Sequence, residues 1–128
     1  MTKLNPDSIA APLGLYTHAI AVDGPGRWLH VSGQVGGRPD GTVPEDFATQ
    51  VEVAWTNLVA VLAAAGMDVS HLVKVTTYVV DEADLPALGR VRARFGGDAG
   101  PASALIVARA PARPAWRVGV GAVAFRPA

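Results

Sequence analysis

The sequence predicts an α+β domain: a mixed sheet with two helices on one face, in the order β-β-α-β-α-β-β. Three observations carry that expectation. Apolar residues recur at helical spacing in two separate stretches, β-branched alternating runs flank both, and Gly/Pro-rich patches at 23–26, 36–41, 96–101 and 110–114 fall between them as turns. A length of 128 residues suits one domain over 1–128, and no linker, repeat or charge run divides it.

The elements follow in order. Residues 15–22 and 27–34 read as two strands joined by Asp23-Gly24-Pro25-Gly26, a hairpin. In the second strand Trp28, His30, Ser32 and Gln34 share one face by period two, and Leu29 and Val31 share the other. Phe47, Val51, Ala54, Leu58, Val61 and Ala65 then recur at helical intervals, with Trp55 and Leu62 widening the stripe. Glu45 and Asp46 suit the N-terminal dipole of this helix, and Gly66 is a natural stop. Its polar members are Gln50, Glu52, Thr56 and Asn57, so its broad apolar face suits a helix lying on a sheet.

Residues 72–80 are alternating and β-branched, a strand. Asp84 fits as N-cap of a second helix running to Phe95, with Leu85, Leu88, Val91 and Phe95 inward, Pro86 in the first turn and Gly96-Gly97 at the end. Residues 102–108 and 116–125 complete the set as strands. A sheet with helices on one side leaves the other face bare. Half of the chain is apolar and 17% is charged, below the ~25% usual in globular proteins, so a second copy is expected to cover that face.

Composition excludes several functions. Eleven basic residues balance eleven acidic ones, which argues against disorder and against a nucleic-acid partner. The longest nearly apolar run, 58–67, falls short of the ~20 residues of a spanning helix, and no signal-peptide pattern opens the chain, so no membrane partner and a cytoplasmic location are expected. There is no cysteine, hence no disulfide, thiol nucleophile or thiolate metal site. Phosphate-loop, dinucleotide and zinc-protease patterns are absent. His18, His30 and His71 lie on separate elements without ligand spacing, so no metal is expected. Glu45, Asp46, Glu52, Asp81, Glu82 and Asp84 sit at helix starts or on exposed faces, where capping and solubility account for them.

Two local patterns are more specific. Ala11-Pro12-Leu13-Gly14-Leu15-Tyr16-Thr17-His18-Ala19-Ile20 is a Pro/Gly entry into a strand that carries an aromatic hydroxyl. Leu29-His30-Val31-Ser32-Gly33-Gln34 ends a strand on a hydroxyl and a glycine, where Ser32 and amides freed by Gly33 suit a small anion or carbonyl, or simple strand-end turn chemistry.

Together with Gln50, Asn57-Leu58, Ala65-Gly66 and Val73-Lys74-Val75-Thr76, these patterns resemble the RidA/YjgF family, once labelled translation inhibitors or ribonucleases, from about residue 11 to 124. The resemblance implies a chorismate-mutase-like protomer and a homotrimer whose sheets form a central barrel, with three clefts between subunits. It implies hydrolysis of reactive imines and enamines to 2-keto acids and ammonia, without metal or organic cofactor. It also implies an arginine on the fourth strand of the family pattern to bind substrate carboxylate and a glutamate on the last strand to hold water.

The sequence departs from that pattern. The arginine position holds Ala102, or Ser103 if the register slips by one, and the last strand reads Val118-Gly119-Val120-Gly121. Gly89 stands where the second helix of the family carries asparagine, and His18 where a glutamine follows the tyrosine motif. A charge-assisted pair in a dry pocket is worth about 1.5–3 kcal/mol, so a lost arginine is a substantive change. Arg117, on the strand face of Gly119 and Gly121, or else Arg90 beside Gly89, is the expected replacement, against a solvated or interface role.

The expected ligand-binding set is therefore Tyr16, Ser32, Gly33, Ser103 and Arg117, with no catalytic residue assigned. Two functions follow: a cleft hydrolase of an imine-like or carbonyl substrate, or a non-catalytic homotrimer binding a small metabolite, carboxylates among the candidates. Ribonuclease chemistry is disfavoured, because no His/Lys/carboxylate cluster suits phosphodiester cleavage.

Overall fold

A computed structural model describes residues 1–96, 100–109 and 112–128. Its elements are β1 (Thr2–Leu4), β2 (Ala19–Ala21), β3 (Gly26–Val35), α1 (Phe47–Ala64), β4 (Leu72–Val79), α2 (Leu85–Gly96), β5 (Ala102–Val107) and β6 (Val118–Pro127). Short 3₁₀ turns at Val69–His71 and Glu82–Asp84 lead into β4 and α2. The main sheet has the order β3-β6-β4-β5, antiparallel except for the parallel pair β4 and β5. Two helices on a mixed sheet are the α+β architecture expected. The turns at 96–101 and 110–114 lie partly outside the described residues.

Three local expectations are corrected. β2 does not form a hairpin with β3. It pairs antiparallel with β1, Thr2 opposite Ala21 and Leu4 opposite Ala19, as a separate two-stranded ribbon. The region before it is bent rather than extended, and Thr17 makes a parallel bridge to Ala102 while its N–H donates to Pro101 O at 3.2 Å. Nor is Asp84 the cap of the second helix: Asp81 accepts from Ala83 N at 2.9 Å and caps the 3₁₀ turn that runs into α2. Finally, Val31 pairs with Ala122 but Gln34 pairs with Val120, so β3 contains an extra residue at Ser32–Gly33. That bulge turns Gln34 to the face of Val31, breaking the alternation that grouped it with Trp28 and His30.

The core lies between the sheet and the helices. Val75 and Val79 of β4, Val118, Val120, Ala122 and Ala124 of β6, and Val31 of β3 meet Val51, Ala54, Trp55, Leu58 and Leu62 of α1. By length and composition alone α1 could cross a bilayer, but its apolar stripe is used against the sheet and α2. Asp46 caps α1, accepting from Thr49 N at 2.9 Å and Thr49 Oγ1 at 2.7 Å, and these bonds hold its carboxyl below the usual range. At the other end Gly66, at φ +70°, lets its own N–H reach Ala63 O and that of Met67 reach Leu62 O, a Schellman stop.

One buried amide ties this layer together. Gln50, 1% exposed, donates from Nε2 to Pro44 O at 2.8 Å and Ala115 O at 2.9 Å, and its Oε1 accepts from Arg117 N at 2.9 Å. A Cβ on Gly36 would lie 2.9 Å from Gln50 Cα, so the loop after β3 can press on α1 only with glycine there. Asn57 supports the same loop by donating to Val35 O at 3.2 Å and Gly37 O at 2.9 Å.

Gln50→Leu keeps the volume and removes all three bonds. At about 1–3 kcal/mol for a buried polar group left unpaired, the total loss should be about 2–4 kcal/mol. Urea unfolding followed by circular dichroism reads it, and a loss under about 0.5 kcal/mol would contradict the tying role.

Candidate functional site

A cavity of about 630 Å³ opens where the segment before β2 crosses the β5 edge of the sheet beside α2. The sheet register explains its floor. Ser103 lies opposite Val75, and Leu105 opposite Thr77, so both face the helix side of the sheet. β5 is the edge strand, and beside α2 these two residues and Thr77 stay part of an open wall. Tyr16 stands over them because the Thr17–Ala102 bridge fixes the preceding backbone. The Tyr16 hydroxyl accepts from Leu13 N at 3.2 Å, which leaves its own proton for an occupant.

α2 supplies the remaining wall through Leu85, Leu88, Gly89 and Arg92. Gly89 has open space where a side chain would be, and it lies one turn before Arg92. The Arg92 guanidinium stacks on the indole of Trp55, Cζ 4.2 Å from the ring centroid, and Trp55 also packs on Phe95 at 5.9 Å. Its Nη1 is buried and has no hydrogen-bond partner among the described residues, and burial pulls its pKa below the usual arginine value. A Cβ on Gly96 would come within 2.2 Å of that nitrogen, so the glycine leaves the space that Nη1 fills.

Of the expected residues, the structure brings Tyr16 and Ser103 together on this wall. Ser32 and Gly33 are exposed in the β3 bulge. β3 and β5 are opposite edges of a four-stranded sheet, about 14 Å apart at ~4.8 Å per strand, so these residues do not meet Tyr16 and Ser103 within one chain. Arg117 is not on the wall of the cavity. It forms a two-pronged pair with Asp84, Nη2 at 2.8 Å from both carboxylate oxygens, donates from Nη1 to Glu45 O at 3.1 Å, and lies 5.2 Å from the Phe47 ring centroid. Its carboxylate partner is a residue of its own chain, which is also why Asp84 is not free to cap. Arg90 is exposed and does not line the cavity.

Sequence reasoning passed over Thr77 and Arg92. A signal for Arg92 was present: Leu85, Gly89, Arg92 and Gly96 recur at helical spacing, placing a cation between two glycines on the face that carries the inward leucines. Among the described residues no carboxylate lines the cavity, and no group of three His, Asp or Glu is arranged to hold a metal ion.

The fold and this wall define a small α+β protein with an apolar, hydroxyl-lined cleft and one stacked guanidinium. The chain belongs to the family described as Endoribonuclease L-PSP, whose model matches residues 7–126. It is 34% identical over 105 residues to Protein DfrA of Myxococcus xanthus, covering 80% of this chain and 79% of that one. It is likewise 34% identical over 104 residues to a 2-iminobutanoate/2-iminopropanoate deaminase of Rattus norvegicus, covering 79% and 74% of the two chains. Among solved structures, the Rid family protein YyfB of Yersinia pestis, described as of unknown function, superposes with a TM-score of 0.86 at 28% identity, covering 98% of each chain. RidA/YjgF membership, expected from the sequence patterns, is thereby established.

Arg117→Ala should lower stability by about 1–3 kcal/mol, since it strands the half-buried Asp84 carboxylate and removes the stack on Phe47. The affinity of the cavity for small carboxylates should stay within twofold. Thermal unfolding and calorimetric titration with 2-oxobutanoate read the two effects, and a stable variant with lost binding would return Arg117 to the ligand site.

Proposed function

We propose that the chain is a cleft hydrolase of small imine or enamine compounds, acting without a cofactor as a cytoplasmic homotrimer. The observation that carries this reading is the shared wall of Tyr16, Thr77, Ser103 and Arg92 in a chain a third identical to an imine deaminase. Hydrolysis of an imine needs an electrophilic C=N, one water and little else. Water adds to the carbon, giving a carbinolamine, and expulsion of ammonia leaves the carbonyl: R₂C=NH plus H₂O gives R₂C=O plus NH₃. The cleft contributes by holding the substrate oriented and by offering hydroxyl donors to the developing charge. Tyr16, with its proton free, and Ser103 serve that role.

The homotrimer is part of the proposal for a geometric reason. Ser32 and Gly33 on one sheet edge and Tyr16 and Ser103 on the other form one site only if the edges of two copies meet. The sheet face away from the helices carries Trp28, Tyr78 and Ile106, all exposed in the single chain, together with Gly119 and Gly121, where a partner's backbone can approach closely.

A second reading, a ligand-binding trimer without turnover, is favoured by one specific observation. Ala102, Ser103, Gly119 and Gly121 supply neither the arginine nor the glutamate that the family resemblance implies for chemistry.

Fresh 2-iminobutanoate, generated in situ by an amino-acid oxidase, distinguishes the two. Accelerated release of 2-oxobutanoate and ammonia is expected, at a rate proportional to protein and lowered at least tenfold by Tyr16→Phe. A thermal shift on adding 2-oxobutanoate, with no acceleration, would instead establish the second reading. Native mass spectrometry at micromolar concentration should give three copies, and a monomer there would overturn the shared cleft.

A further inference from the structure

We propose that Arg92 is the carboxylate-binding residue of this cleft, and that the ligand is a 2-imino or 2-oxo acid with a branched apolar side chain. This rests on the reading of the cavity as a ligand site and names what that site selects. Four observations converge on Arg92.

It lines the cavity. It is the one cationic residue among the described lining residues, beside hydroxyls of Tyr16, Thr77 and Ser103. It has no acidic side chain within 4.0 Å among the described residues, whereas Arg117 is fully engaged with Asp84. And it is held in place before any ligand arrives, over the Trp55 ring with Nη1 wedged at Gly96.

A guanidinium that is partly desolvated and unpaired is costly in the empty protein. Cation–π stacking on Trp55 offsets some of that cost but offers no acceptor for the N–H groups. An anion in the cavity supplies acceptors, and the planar fork matches a carboxylate. The immobilised side chain also loses little further freedom on binding. Open space at Gly89, one turn before Arg92, leaves room for a ligand beside α2.

The side-chain preference comes from the rest of the wall. Leu13, Leu15, Leu85, Leu88 and Leu105 line the same cavity. Five leucine side chains on one wall leave a short acid little to touch with its alkyl group, so a longer apolar group gains contact there. Each added buried methylene brings about a threefold to fourfold gain in affinity. A six-carbon branched acid should therefore bind roughly tenfold more tightly than its four-carbon counterpart.

Calorimetric titration with three probes tests this: 2-oxo-4-methylpentanoate, its neutral primary amide, and 2-oxobutanoate. For the wild-type protein the six-carbon carboxylate should bind at least tenfold more tightly than its amide and roughly tenfold more tightly than 2-oxobutanoate. Arg92→Met should bring carboxylate and amide within twofold of each other. Arg92→Lys, which keeps the charge but loses the fork, should retain part of the difference. Gly96→Ala leaves every charge in place and displaces Nη1, and it should reduce the preference severalfold, so the test does not depend on Arg92→Met folding. A carboxylate preference that survives Arg92→Met and Gly96→Ala, or a wild-type protein that does not discriminate the amide, overturns the assignment. Equal affinity for the two oxo acids overturns the side-chain preference. These outcomes are separable from those of the hydrolytic reading: a protein that binds through Arg92 without turning imines over loses only the latter.

Discussion

The position of α1 on the sheet is the constraint from which the rest follows, and the Gln50 amide sets it. Three hydrogen bonds to one buried side chain join the loop before α1, the loop before β6 and the residue leading into β6. Gly36 then allows the end of β3 to press against the same turn of helix. With α1 fixed, Trp55 has a fixed place, and α2 packs beside it through Phe95. The guanidinium of Arg92 lies on that indole, so the geometry of the cleft is inherited from a polar bond network on its far side.

Charge is sparse in this chain, and the structure uses two of its arginines in opposite ways. Arg117 is saturated: a carboxylate, a backbone carbonyl and an aromatic face satisfy it. Arg92 is stacked but unsatisfied. The difference between a structural cation and a ligand-binding one lies in what remains unpaired after folding, which burial and sequence position alone do not reveal.

Much of the fold was legible because its main elements are long and periodic. α1 announces itself through five turns of apolar spacing, and β4 through its β-branched alternation. β1 was not legible: three residues carry no usable period, and their partner β2 is distant in sequence. The expected hairpin failed because a turn sequence fixes a local bend, not the strands that pair across it. The Ser32–Gly33 bulge shows only in register with β6. Tyr16 and Ser103 could be picked out as pocket residues from the family resemblance. The Asp84–Arg117 pair could not, since two groups 33 positions apart are brought within 2.8 Å only by the tertiary fold.

The edge strand β5 has a further consequence for how the protein exists in solution. Leu105, Ile106 and Val107 are all exposed, on both faces of a strand whose outer rim is bridged among the described residues at its start, by Thr17. No lysine or proline interrupts this stretch, so a solitary chain displays an open β template to any similar strand. A chain that stays solitary keeps that template open, and the rate at which it meets a wrong strand rises with concentration.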